Sequence, residues 1–183
     1  MARVNIIEYV TIATVGNTTD FGNLTAARGQ VTATGSSTRG LFLAGDTPTV
    51  SDVIDYITIA STGDASDFGD ASEAKDFCAS LSSSTRGVLF GGTPDGGSTL
   101  RDTIEYVTIA STGDVTDFGD LVTAQRQMSG VSNKLRGITG GGGTDTDVME
   151  YITIASTGDG ADFGDLQEAV AIPSGFSDAG GHL

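Results

Sequence analysis

Tryptophan is absent from these 183 residues, and there is one cysteine, one histidine, three prolines and nine lysines and arginines against twenty-four acids. Each shortage excludes something. With Cys78 alone, no internal disulfide can form, so the fold must stand on packing. Cys78 itself, beside Phe77, reads as a small buried hydrophobe. The single histidine, His182, falls next to the C-terminus, and no Ser-His-Asp set, Cys/His metal spacing or P-loop accompanies it. The net charge of −15 is spread over the whole length. Such a field repels nucleic acid and anionic membranes, and it attracts cations or basic surfaces. No apolar run approaches the ~20 residues of a membrane-spanning helix, and no signal-peptide core precedes the first strand candidate. The expectation is a protein made in a cytoplasm without Sec-type export. Gly, Ser and Thr are plentiful, which suits short strands and tight turns.

What the chain has instead is a repeated phrase. Ile-Ala-Ser-Thr-Gly-Asp-x-x-Asp-Phe-Gly-Asp stands at 59–70, 109–120 and 154–165, with a drifted copy at 12–23. An acid and a tyrosine precede each copy: Glu8-Tyr9, Asp55-Tyr56, Glu105-Tyr106 and Glu150-Tyr151. The tyrosines are 47, 50 and 45 residues apart, and Phe21, Phe68, Phe118 and Phe163 keep the same intervals. A constant module with loops of varying length marks a repeat architecture, here one domain with units starting near 6, 53, 103 and 148.

Within a unit, Ile6–Ala13 predicts a strand with apolar residues on both faces. Gly16 to Gly22 reads as a loop, and Leu24–Arg28 as a short strand or a single helical turn. Gln30–Ser37 alternates small and polar residues, and Leu41-Phe-Leu-Ala-Gly45 is a buried strand by pattern. About four strands in ~45–50 residues is the size of a propeller blade. The chain starts at the third and fourth strands of one unit and finishes with the first. Joining Ile172–Leu183 to Ile6–Leu24 would complete a fourth unit. The expectation is an all-β, four-bladed propeller closed by strands from both ends. The alternative is an open stack of β-units whose edges are satisfied by neighbouring subunits.

The unit resembles the kelch repeat. Val88-Leu-Phe-Gly91-Gly92 carries the double glycine of that family, Ile138-Thr-Gly140-Gly141 a weaker version, and Leu43-Ala-Gly45 one glycine of the two. The four tyrosines resemble the kelch tyrosine, and each Asp-Phe-Gly phenylalanine stands in for the kelch tryptophan, twelve residues on and so farther than in kelch. The longer phrase, with Ser-Ser-Ser-Thr-Arg-Gly at 82–87 and the ending Phe176–Leu183, is similar to kelch-like repeats in marine bacteriophage proteins. That likeness implies a virion protein of tail, fibre or capsid rather than an enzyme, touching other virion proteins, itself, or a host glycan or receptor. A stand-alone carbohydrate- or ligand-binding propeller is the alternative.

Two constellations recur. Asp64, Asp67 and Asp70 are spaced by three, as are Asp114, Asp117, Asp120 and Asp159, Asp162, Asp165. These loops offer oxygen ligands for calcium, though without the alternating order of an EF-hand. The competing reading is a turn in which Asp binds backbone amides. The acids Glu8, Asp55, Glu105 and Glu150 share a strand face with Ile and Val and need partners. Arg39, Arg86 and Arg136, at the start of each apolar run, are the natural candidates for structural pairs.

Overall fold

A computed structural model describes residues 3–175, and among them every regular element is a strand. The strands, in chain order, are β1 (Val4–Tyr9), β2 (Thr19–Arg28), β3 (Thr32–Gly35), β4 (Arg39–Leu43), β5 (Asp46–Thr47), β6 (Thr49–Thr58), β7 (Ser66–Lys75) and β8 (Ala79–Ser82). They continue with β9 (Arg86–Phe90), β10 (Arg101–Thr108), β11 (Thr116–Gln125), β12 (Ser129–Ser132), β13 (Arg136–Gly140), β14 (Thr146–Thr153) and β15 (Ala161–Val170).

All pairings are antiparallel between chain neighbours or across the short β5 hairpin. They make four sheets: β1-β2, then β3-β4-β6-β7 with β5 beside β6, then β8-β9-β10-β11, then β12-β13-β14-β15. The first holds only the tyrosine strand and the strand after it. The chain thus opens on the third and fourth strands of a unit, the phase expected from the repeats. No sheet closes on itself. The completion expected from Ile172–Leu183 falls largely on 176–183, outside the described residues, as does His182.

The long strands begin earlier than the sequence pattern suggests. Asp-Phe-Gly-Asp, expected as a loop, is in the first half of β7, β11 and β15, as Asp-Phe-Gly-Asn is in β2, and Leu24–Arg28 continues β2 rather than turning as a helix. The glycines allow this. Gly22, Gly69, Gly119 and Gly164 sit opposite Ile7, Ile54, Ile104 and Met149, and a register shift follows at the next pair in each sheet. That repeated bulge sharpens the local twist. The chain then enters each short first strand through a left-handed residue, Gln30, Phe77 or Gln127, and Ile172 takes the same conformation two residues after β15. None is glycine, so the conformation is imposed by its surroundings.

The core lies between sheets. Ile7, Phe21, Leu24 and Ala65 join the first sheet to the second, with Phe42 and Ile57 packed alongside. Leu41, Leu43, Ile54, Phe68, Leu89, Val107 and Ile109 join the second to the third. Leu81, Val88, Phe90, Phe118, Leu121, Ile152 and Ile154 join the third to the fourth. Val88, Leu89 and Phe90 are buried in succession because β9 has a sheet on either face, the situation that makes a strand read as an unbroken apolar run. In each unit the tyrosine meets the phenylalanine edge-to-face, with ring centroids 5.8–6.1 Å apart.

Candidate functional site

The acidic loops are where successive units meet. The backbone N–H groups of Gly63, Gly113 and Gly158 donate to the carbonyls of Phe21, Phe68 and Phe118 in the preceding unit, each at 2.7 Å. One residue on, Asp64, Asp114 and Asp159 turn a carboxylate oxygen back and accept the N–H of Asn23, Asp70 and Asp120 at 2.9, 3.0 and 3.1 Å. The next N–H, of Ala65, Val115 and Gly160, donates to the carbonyl of that same residue. The fit tolerates no side chain on the receiving glycine. A Cβ on Gly22, Gly69 or Gly119 would lie 2.2, 2.4 or 2.6 Å from the incoming backbone.

The three aspartates of a triplet sit in different settings. The first aspartate of each is engaged across the unit boundary, the third belongs to its own unit's long strand, and the second lies between them, exposed. Among the described residues no three acidic, histidine or cysteine side chains converge as a metal site. Asp67, Asp70 and their counterparts instead crowd like charges. Burial first, then Asp52, Asp114 and Asp67, raise the Asp70 pKa, and burial with Asp102, Asp159 and Asp117 does the same to Asp120.

The strand acids are buried at three of four positions: Asp55, Glu105 and Glu150, but not Glu8. Their partners are not the repeated arginines. Asp55 binds Arg28 at 2.7 Å, and Glu105 binds Lys75 at 2.7 Å, each base reaching over from the end of the preceding unit's long strand. Thr25 and Ser72, also from the preceding unit, donate N–H and hydroxyl to the same carboxylates. Desolvation lowers the Arg28 pKa, partly offset by Asp55. At Glu150 the corresponding residue is Gln125, and the carboxylate accepts the N–H groups of Val122 and Thr123 instead. Glu8 is exposed and accepts from the Thr18 hydroxyl.

Arg39, Arg86 and Arg136 fail as partners because of register. They lie opposite Thr58, Thr108 and Thr153, three residues beyond the acids, or about 10 Å along a strand. Each guanidinium covers its own unit's tyrosine, 4.3–4.6 Å from the ring centroid. Arg39 and Arg86 also donate to the carbonyls of Ile109 and Ile154 in the following unit, at 2.9 and 2.8 Å.

Two further concavities lie among the described residues. The short first strands line a groove of ≈ 440 Å³ whose walls carry Thr34, Ser80, Ser82 and Ser132. Ser80 and Ser82 donate to the carbonyls of Ala33 and Gly35, and Ser132 to that of Ser82, so these hydroxyls tie neighbouring first strands together. The connections after β4 and β9 enclose ≈ 330 Å³ lined by Asp46, Asp76 and Asp95 among others. Arg3 holds Asp46, and the turn amides and hydroxyls of Thr93, Ser98 and Thr99 hold Asp95 well below the usual carboxylate range. Asp76 is buried, with Oδ1 unpartnered, and its pKa is raised by desolvation and by Asp46 and Asp95. Cys78 lies nearby, its Sγ donating to the Asp76 and Gly91 carbonyls, and burial pushes its thiol up to about 12.

Sequence reasoning missed Arg28 and Lys75. Aligning the long strands would have exposed them, since Arg28, Lys75, Gln125 and Val170 occupy one position and a base there faces the next unit's acid. No protein-family model matches this chain, and no curated protein is similar to it in sequence.

Proposed function

We propose that this chain is a non-enzymatic structural protein of a bacteriophage particle. It is built as a propeller-type kelch-like module, attached to tail, fibre or capsid, and works by protein contact or host adhesion. The observation that carries the reading is the use of the recurring polar groups. The Gly-Asp loops, the buried acid–base pairs and the tyrosine-stacked arginines all join one unit to the next, leaving a rigid frame with loops of variable length. The likeness of the repeated phrase to marine phage kelch-like repeats supports the same reading, as does an acidic surface that disfavours nucleic acid and anionic membrane. The partners are then other virion proteins, another copy of the chain, or a host glycan or receptor. Production would be in the host cytoplasm. Mass spectrometry of purified particles is the test: the protein should co-purify at fixed stoichiometry, and its absence from virions rejects the proposal.

The groove along the short strands favours one second reading, a stand-alone propeller that binds a neutral polar ligand such as a carbohydrate. Glycan-array binding by the isolated chain, without incorporation into particles, would select it. Ring closure belongs to either reading, by strands of the chain itself or by neighbouring subunits.

A further inference from the structure

Among the described residues three unit junctions are made, and the two halves of a fourth are left apart. On the tail side, the Phe163 ring is 44% exposed, against 8%, 2% and 2% for Phe21, Phe68 and Phe118. A Cβ on Gly164 would meet nothing within 4 Å, whereas its three counterparts are pressed against the next unit's glycine. Arg136 is exposed, while Arg39 and Arg86 are half-buried under the strand ends they bind. On the head side, Gly16-Asn17 occupies the place of Gly63-Asp64, Gly113-Asp114 and Gly158-Asp159. Ile12 is 97% exposed, against 47% for Ile59, which follows the two-stranded first sheet, and 2% and 1% for Ile109 and Ile154, which lie under Arg39 and Arg86. Asn17 keeps the side-chain oxygen that this position needs as an acceptor.

We propose that the tail edge of one copy, Phe163–Asp165 with Arg136, docks on the head of a second copy at Ile12 and Gly16-Asn17. This rests on the structural-protein reading above and names the partner as the chain itself. The internal junctions supply the geometry. Gly16 N–H would donate to the Phe163 carbonyl, Asn17 Oδ1 would accept the N–H of Asp165, and Arg136 would donate to the Ile12 carbonyl. The contact is head-to-tail, so each copy carries one donor surface and one acceptor surface, and the assembly either closes as a ring or grows.

Sedimentation velocity on the 183-residue chain tests this apart from any virion. Self-association that rises with concentration is expected. Ile12→Asp blocks the head at an exposed side chain whose equivalents Ile109 and Ile154 are buried in the internal junctions, and Arg136→Glu blocks the tail at an exposed side chain. Each should weaken association at least about tenfold while the dilute protein still melts cooperatively, Arg136→Glu slightly lower for want of its Tyr151 contact. Mixed in equal amounts, the two variants have one intact head and one intact tail between them, so they should form a heterodimer and nothing larger. A wild-type chain that stays monomeric to the highest attainable concentration overturns the proposal. So does an oligomer that neither variant weakens, or a mixture that does not restore pairing. Virion mass spectrometry can fail while this assay succeeds, or the reverse, so the two ideas fail separately.

Discussion

A buried carboxylate with a base on one side is sensitive to loss of that base, and the two pairs here make the point measurable. Lys75→Met leaves Glu105 buried without its cation, and breaking such a pair from one side costs about 3–5 kcal/mol. Changing Glu105 to Gln in the same chain should recover much of that loss, because no uncompensated ion remains. Arg86→Met removes a stacked, half-buried guanidinium and one carbonyl contact, and about 1 kcal/mol is expected. Urea denaturation of the three variants checks the order, and an Arg86 effect as large as that of Lys75 would restore the pairing expected from sequence. Asp76 sits on the opposite side of the balance. Its folded pKa is raised above the ordinary 3.8, so the folded state holds the proton more tightly than the unfolded chain. Its contribution to stability therefore falls as pH climbs through 3.8 toward the raised value, and the penalty is complete above that value. Asp76→Asn should raise the pH 7 melting temperature and flatten that part of the stability–pH curve.

At the scale of the strand, the bulge glycines carry the junctions. Gly69 and Gly164 share a positive φ, +147° and +132°, so alanine is strained at both. Only at Gly69 does the added carbon also strike the next unit. Gly69→Ala should therefore cost about 1–3 kcal/mol more than Gly164→Ala when both are measured in dilute protein. Equal losses would mean that the close approach contributes nothing. The loop aspartates give the companion experiment. Asp114→Ala removes the acceptor for the Asp70 N–H and should cost about 1 kcal/mol. Asp114→Asn keeps the oxygen and sheds a like charge near Asp70, so it should be neutral or better. A chelator should leave the melt of the wild-type chain unchanged, and a drop on chelation would return calcium to these loops.

At the scale of the molecule, the spacing of tyrosine and phenylalanine was enough to read the strand count per unit and the phase in which the chain enters the repeat. Aromatic pairing also follows from it, since Tyr56 and Phe68 lie on neighbouring strands of one sheet. What spacing could not reveal is what crosses from unit to unit. Arg28 and Lys75 work in the next sheet, and their position drifts to Gln125 and Val170, so no repeated letter marks it. The Asp-Phe-Gly stretch looks like a loop because glycine and aspartate are poor strand formers. It is a strand because bulge and docking loop together need a residue without a side chain. The uniform negative charge predicts a further bulk property. Adding salt at low ionic strength should raise the melting temperature by screening self-repulsion, and an unchanged melting temperature would mean that the spread-out charge costs the fold little.

The seat between units is written almost entirely in main-chain atoms: one glycine N–H, one phenylalanine carbonyl, and a return bond that either Asp or Asn can accept. Such a seat cannot distinguish one unit from another. A recombination event that removed 69–118, from one bulge glycine to the residue before the next, would put Gly119 where Gly69 stood and leave the remaining seats matched. Length in this architecture is then a heritable variable that crossover between repeats can adjust a whole unit at a time, without any compensating substitution.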